Sequence, residues 1–392
     1  MVRMSDILKN VGEKEKERSA SERGKASSIK TLQFPLMRPQ KALLAHLPPP
    51  SVKPQKEDSD KAYYSNIVKY EKGKEGKYLK PEIRISGLVR LKPETVLKIE
   101  EDGVGLYDEV ESLLRELFCD DVDYETIDSD KIMQKCEKIV DALGLGDEKI
   151  LRPALIKNAG DVDYLYGHLV SSCIYSIVVG IGMGYQRSEL IGLGASALLH
   201  DIGMTKYLAL AAQPRALTFK EREVVKNHVL FGTQILKNID GLSDAVIAVS
   251  YQHHERVNGS GYPRGLKGEF IHEYAKIVGL VSVFEALVHL RPHRVSFLPV
   301  EALREIIVNK NTFEYKIIKI LIERIGIYPI GSLVELNTRE TAEVIKLNND
   351  NPARPVVRII RDDDGEKPKE TKLLDLAAQS AVYIKNGVRE KI

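Results

Sequence analysis

Residues 253–263 read HHERVNGSGYP, and residues 198–204 read LLHDIGM, so a His-His pair and a His-Asp pair stand some fifty residues apart. Only nine of the 392 residues are histidine, so two such pairs are rare by chance. A neutral imidazole beside a carboxylate suits a divalent metal, and the carboxylate can bridge two ions. Neighbours on a helix point about 100° apart, so His253 and His254 meet one ion only where the helix ends or tightens. Asn258, Gly259, Ser260 and Gly261 are turn formers and supply that end. Gly259 and Gly261 also let backbone N–H groups approach an anion closely. Together the two stretches point to a multi-histidine metal site acting on a phosphate ester. Each has a plainer reading. GSGYP alone is an ordinary tight loop, and His200-Asp201 alone fits a capped helix end with an exposed acid.

His168, His200, His228, His253, His254 and, less clearly, His272 fall into a pattern among helical segments. A lone histidine on an apolar helix is usually a satisfied core residue, and His168 by itself would merit only that reading. It is the pairs that change the weighing.

The surrounding chain reads as mostly helical. From Gly105 onward LYDEVESLLRELF places Leu106, Val110, Leu113, Leu114 and Leu117 on one face. Segments 130–143, 148–158, 188–200, 219–238, 243–255, 273–290 and 299–325 continue that signal, with Gly144 and Gly146 suited to a helix stop. The stretch 164–184 is apolar but carries His168 and several glycines, so a buried helix is expected there rather than a membrane span. No other apolar run approaches the length needed to span a bilayer. After Gly326, YPIGSLVELN, ETAEVIKLN and RPVVRIIRD show strand-type alternation, followed by a weak helix near 372–380.

Residues 1–60 are rich in charge, Ser and Pro, and read as a poorly ordered linker. The first 80 residues hold 18 Lys/Arg and 10 Asp/Glu, a balance of +8 within a whole chain of +2. Such a basic segment is either a solvated linker or a contact for anionic lipid, nucleic acid or an acidic partner. IRISGLVRL, at 83–91, has the alternation of a short strand. Cys119, Cys136 and Cys173 lack metal-ligand spacing and fit a reduced interior. The N-terminus lacks the apolar block of a signal peptide, so a cytoplasmic location is expected.

His168, the HD pair at 200–201, His228, the HH pair at 253–254 and GYP at 261–263 resemble the HD-GYP family of HD phosphohydrolases over roughly residues 100–345. The resemblance implies an HD-type helical bundle, mainly α. A poorly ordered basic segment would precede it and a small C-terminal β appendage would follow. The domains would run 1–60 (linker), 61–145 (accessory), 146–325 (HD-GYP-like) and 326–392 (β appendage and tail). It implies a centre of divalent iron or manganese, with one or two ions here. It also implies hydrolysis of cyclic di-GMP to the linear dinucleotide or GMP. Carried over by position, His168, His200, Asp201, His228, His253 and His254 are metal ligands, with Asp201 the catalytic bridging carboxylate. Gly261, Tyr262, Pro263, Glu285, Arg291 and Arg294 face the substrate, and Lys206 stands near a catalytic lysine position that Met204 occupies. The expected partners are cyclic di-GMP, a protein taken through the basic segment and a second copy of the chain. No nucleic-acid polymer is expected.

Three departures bear on turnover. Where the family has a segment resembling VADVFDAL, residues 280–287 read LVSVFEAL, so Ser282 replaces an aspartate ligand and Glu285 takes the second acid position. Serine is a poor, neutral ligand for a hard divalent ion. Tyr164 stands one helical turn before His168, where some members carry a Glu. The set Asp201, His228, His253 and His254 is complete, whereas the set around His168 and His200 lacks one carboxylate. An attenuated phosphodiesterase, a degenerate domain that binds cyclic di-GMP or a protein without turnover, and hydrolysis of another phosphate ester all remain open at this point.

Overall fold

The computed structural model describes residues 93–118, 124, 127–144, 148–157, 164–291, 295–348 and 350–389. The expected linker at 1–60, the strand at 83–91 and Arg294 lie outside them. Within them the chain forms α1 (Pro93–Leu117), α2 (Ser129–Gly144), α3 (Leu151–Ile156), α4 (Tyr164–Met183), α5 (Arg187–Leu199) and α6 (Leu208–Ala211). There follow α7 (Phe219–Val225), α8 (His228–Leu236), α9 (Asp244–Gln252), α10 (Glu273–Val288), α11 (Pro299–Val308) and α12 (Tyr315–Ile325). A short 3-10 turn, Ile202–Tyr207, joins α5 to α6.

Helix α4 is the axis of the bundle. It is the one described helix long and apolar enough to cross a membrane, and 83% of its apolar window is buried inside the protein. Neighbouring helices α1, α5, α10 and α12 pack around it. An all-round apolar helix needs such a jacket, because every face must leave water. Helix α1 begins earlier than Gly105 and turns a slightly different face inward. Tyr107, Val110, Leu113 and Leu114 are buried, with Leu106 and Leu117 at the margin. The Tyr107 hydroxyl donates to the Gly167 carbonyl at 3.1 Å and lies 3.1 Å from Ser171 Oγ. A buried phenol thus finds partners on α4 beside His168.

Helix starts follow local chemistry. Thr218 caps α7 by accepting from Glu221 N, and the Glu221 carboxylate accepts from Thr218 N at 2.7 Å. His272 caps α10, its Nδ1 accepting from Tyr274 N at 3.2 Å. That removes His272 from the metal pattern and gives it a structural role.

The C-terminal segment is a five-stranded antiparallel sheet of order β4-β3-β2-β1-β5. Its strands are β1 (Leu333–Leu336), β2 (Thr341–Lys346), β3 (Val356–Arg361), β4 (Lys372–Asp375) and β5 (Ile384–Val388). Register pairs Val334 with Ala342 and Val344 with Val357, so inward residues of adjacent strands stack into a second core. The helix expected near 372–380 is not formed. Lys372–Asp375 pairs with β3 instead, Leu374 opposite Val357, and this buries both Leu373 and Leu374. Four residues of KLLD cannot complete a stable helix, whereas an existing edge strand offers ready hydrogen bonds. The sheet is tied to the bundle by Glu343, only 4% exposed, which accepts from Arg152 Nε at 2.6 Å and Arg358 Nη2 at 2.5 Å.

Candidate metal centre

Asp201 follows the C-terminal end of α5, where the helix tightens into the 3-10 turn. That turn lies against α8: a Cβ on Gly203 would fall 2.0 Å from the His228 carbonyl oxygen. Only glycine permits so close an approach, which brings His228 to the carboxylate. His253 and His254 sit at the C-terminal end of α9. His168 projects from the second turn of α4 and His200 caps α5. The structure thus brings all six residues of the expected ligand set together from four elements.

The two oxygens of Asp201 face different histidines. Oδ1 lies 3.1 Å from His228 Nε2 and 3.2 Å from His253 Nε2. Oδ2 lies 3.6 Å from His200 Nε2 and 3.8 Å from His168 Nε2. The ligand atoms form two metal-capable groups, each within 4.8 Å: Asp201, His228, His253 and His254 in one, and His168, His200 and Asp201 in the other. Asp201 is common to both, as a bridging carboxylate must be.

The other face of each ring fixes its tautomer. Nδ1 of His200 donates to the Ala197 carbonyl at 2.8 Å, and Nδ1 of His228 to the Val225 carbonyl at 2.7 Å. His253 Nδ1 reaches the Val249 and Ser250 carbonyls at 3.2 and 3.1 Å. His168 Nδ1 bonds to Glu285 Oε2. With Nδ1–H committed, each Nε2 turns a lone pair toward Asp201. Nε2 of His228 and Nε2 of His253 stand 3.4 Å apart, close enough to share one cation. His200 Nε2 and Asp201 Oδ1 are buried without a hydrogen-bond partner. Orphaned buried donors and acceptors of this kind are costly unless something else binds them. Nitrogen and oxygen donors converging on such atoms fit one or two divalent ions.

Protonation is set to match. Burial pushes His200 down to about 3, and burial likewise lowers His253 and holds His254 well below the usual imidazole range. Burial disfavours the charged form of His228 too, but Asp201 more than offsets it, and its pKa rises. Burial works against the Asp201 carboxylate, yet the imidazoles around it hold its pKa well below the ordinary value. Most rings are therefore neutral and the acid ionised, the forms that bind metal.

Glu285 is 2% exposed and is held by neighbouring side chains. Its carboxylate takes His168 Nδ1, Arg291 Nη2 at 3.0 Å and His289 Nδ1 at 2.8 Å. Burial opposes its charge, but His168, His289 and Arg291 hold the pKa well below the usual carboxylate range. Ser282 lies one turn earlier on α10, and Glu285 itself belongs to neither metal-capable group. Glu285 thus stands behind His168 and does not fill the gap at Ser282.

Arg291 is drawn into the same network, with its guanidinium carbon 4.5 Å above the Tyr164 ring. An opening beside it is lined by Lys157, Tyr164, His168, Glu285, His289 and Arg291. Lys206 is exposed, its ammonium 4.7 Å from the centre of the Phe231 ring.

The GYP loop closes the other side. Tyr262 stacks on His254 with centroids 4.5 Å apart and planes 17° apart. The Tyr262–Pro263 peptide is cis. A Cβ on Gly261 would meet Glu255 Cα and the His254 oxygen at 2.4 Å, so the loop folds back tightly on the helix end. Glu255 anchors it. This buried carboxylate accepts from Arg264 N at 2.7 Å and Leu266 N at 2.8 Å. Sequence reading missed Glu255 and His289. A buried acid directly after the histidine pair was the available signal for the first.

Residues 179–316 match the HD domain family, a range that contains the HD pair, the HH pair and the GYP loop. The chain carries an HD domain. His168 lies just before the matched range, and residues 333–391, the sheet, match the KOW domain associated with the HD domain. A cyclic di-GMP phosphodiesterase of Pseudomonas aeruginosa is 27% identical over 224 residues, 57% of this chain and 54% of that protein. One of Borreliella burgdorferi is 28% identical over 217 residues, 55% of each chain. The 3'3'-cGAMP-specific phosphodiesterase 3 of Vibrio cholerae is 30% identical over 139 residues, 35% of this chain and 30% of that one. The chain spans about half the length of the first two relatives.

Proposed function

We propose that this HD-GYP domain is a metal-dependent phosphodiesterase that opens cyclic di-GMP to the linear dinucleotide or to GMP. The observation that carries the reading is Asp201, whose two oxygens each face a separate set of imidazole Nε2 atoms. The names of the relatives from Pseudomonas aeruginosa and Borreliella burgdorferi favour a cyclic dinucleotide as substrate.

His228, His253, His254 and Asp201 would hold one ion, and His168, His200 and Asp201 a second, iron or manganese in each case. Bound ions supply Lewis-acid polarisation of a phosphate oxygen and a water acidic enough to attack phosphorus. The protein's part is placement. Backbone carbonyls hold the rings of His200, His228 and His253 and Glu285 holds that of His168, each with Nε2 inward, and Asp201 fixes the spacing of the two sets. Tyr262, stacked on His254, offers an aromatic wall at the rim of the complete set. Arg291, though gripped by Glu285, lies at the opening beside His168, where a guanidinium favours an approaching phosphate. Ser282 leaves the second set one carboxylate short, so turnover is attenuated rather than lost.

Incubation of reduced, manganese- or iron-loaded protein with cyclic di-GMP tests the reading, with linear product resolved by chromatography. Metal-dependent linear product supports it. Tight binding of cyclic di-GMP without product would overturn it in favour of a sensor that binds without turnover.

A further inference from the structure

We infer that His289 is a positioning residue for the half-site containing His168, acting through Glu285. It follows the C-terminal end of α10, four residues after Glu285, and is 5% exposed. Its Nδ1 lies 2.8 Å from Glu285 Oε1 and 3.2 Å from the Glu285 carbonyl oxygen. The other carboxylate oxygen, Oε2, takes both His168 Nδ1 and Arg291 Nη2. Each oxygen of Glu285 therefore has its own nitrogen neighbours, Oε1 the His289 Nδ1 at ion-pair distance and Oε2 the other two, and rotating the carboxylate loses one of them.

The division of labour follows. A metal-bound histidine is oriented by whatever accepts its second ring N–H, and a carboxylate there also makes the ring a stronger donor. His200, His228 and His253 use backbone carbonyls for this, which the helices hold rigidly. His168 alone of these four relies on a side chain, so its orientation is only as firm as the grip on Glu285. Arg291 and His168 both pull on Oε2. Without His289, Oε1 would be buried with no donor of its own, and such an acceptor seeks a new partner by turning. Among the described residues His289 Nε2 has no hydrogen-bond partner, and Nδ1 contacts Glu285, through its carbonyl and its carboxylate. The half-site that lacks a carboxylate at Ser282 is the one that depends most on a well-aimed His168.

The inference rests on the metal-centre reading, but it is read in bound metal rather than turnover. A protein that binds two ions without hydrolysing cyclic di-GMP would sink the proposed function and leave this inference standing. The experiment is anaerobic titration of chelator-stripped protein with Mn²⁺ alone, ions per chain and affinities being measured for wild type, His289→Leu and His289→Asn. Thermal melting of each metal-free variant reports on the fold. Wild type is expected to take two ions of unequal affinity. His289→Leu should weaken the second ion about 10–100-fold and leave the first within about twofold. Asparagine places an amide N–H near the position of Nδ1, so His289→Asn should keep the second ion within about threefold of wild type. If His289→Leu does not fold, the asparagine variant decides alone: retention supports the inference, and a tenfold loss overturns it. Equal loss of both ions in His289→Leu, no loss of either, or a wild type that takes up one ion or none also overturns it.

Discussion

The two halves of the metal centre share Asp201 and differ in almost everything else. The half made by His228, His253 and His254 comes from helix ends and a tight loop within about thirty residues, with the rings of His228 and His253 braced by backbone carbonyls. The half made by His168 and His200 joins α4 to α5, lacks a ligand acid at Ser282, and steadies His168 through the side chains Glu285, His289 and Arg291. Backbone bracing costs no further side-chain order, whereas a chain of side chains must be ordered link by link. The comparison teaches that two donor sets sharing one acid are braced in different ways, one by the backbone and the other by a chain of side chains.

The sharpest way to break the comparison is to remove what the halves share. Asp201→Asn takes the charge from both, and we expect loss of both ions and a fall in hydrolysis on the order of 10³-fold, as for removal of a key electrostatic group at other active sites. Metal analysis together with a product assay checks it; one ion retained at full affinity would show that the halves do not share the acid. Ser282→Asp sharpens the comparison by erasing it. An added carboxylate within reach should tighten the weaker ion by roughly 10–100-fold, since anionic ligand count tunes affinity for hard ions. Turnover should rise with it, and Mn²⁺ titration with steady-state rates measures both. Glu285→Gln keeps the shape but drops the charge, and should weaken the second ion about tenfold while sparing the first. The smallest expected effect lies on the loop beside the complete half. Glu255→Gln retains one acceptor for Arg264 N or Leu266 N and should cost about 1–1.5 kcal/mol in a urea unfolding curve.

What the sequence revealed follows from what chemistry leaves in primary order. The HD and HH pairs are adjacent along the chain, so a metal cluster was legible, and its division into a complete and a deficient half followed by resemblance. The helices carried their own apolar periodicity, and most bounds fell within a few residues. The network that holds Glu285 was not legible, because a sequence does not say which side chains a carboxylate on α10 will meet. Its partners His168, His289 and Arg291 come from 117 residues away, four residues on and six residues on. Similarly, KLLD at 372–375 was read as helix because its two leucines fit either period. Pairing with β3 decides it, and that contact is non-local. His272 joined the metal pattern by residue type alone, whereas its position at the start of α10 makes it a cap.

The central claim is that one carboxylate joins two unequal metal sites, and the count of Mn²⁺ bound per chain across a wide concentration range tests it most directly. One ion should saturate first and a second should require at least about tenfold more Mn²⁺, with both lost in Asp201→Asn. Two ions of equal affinity, or a chain that binds none, would contradict it.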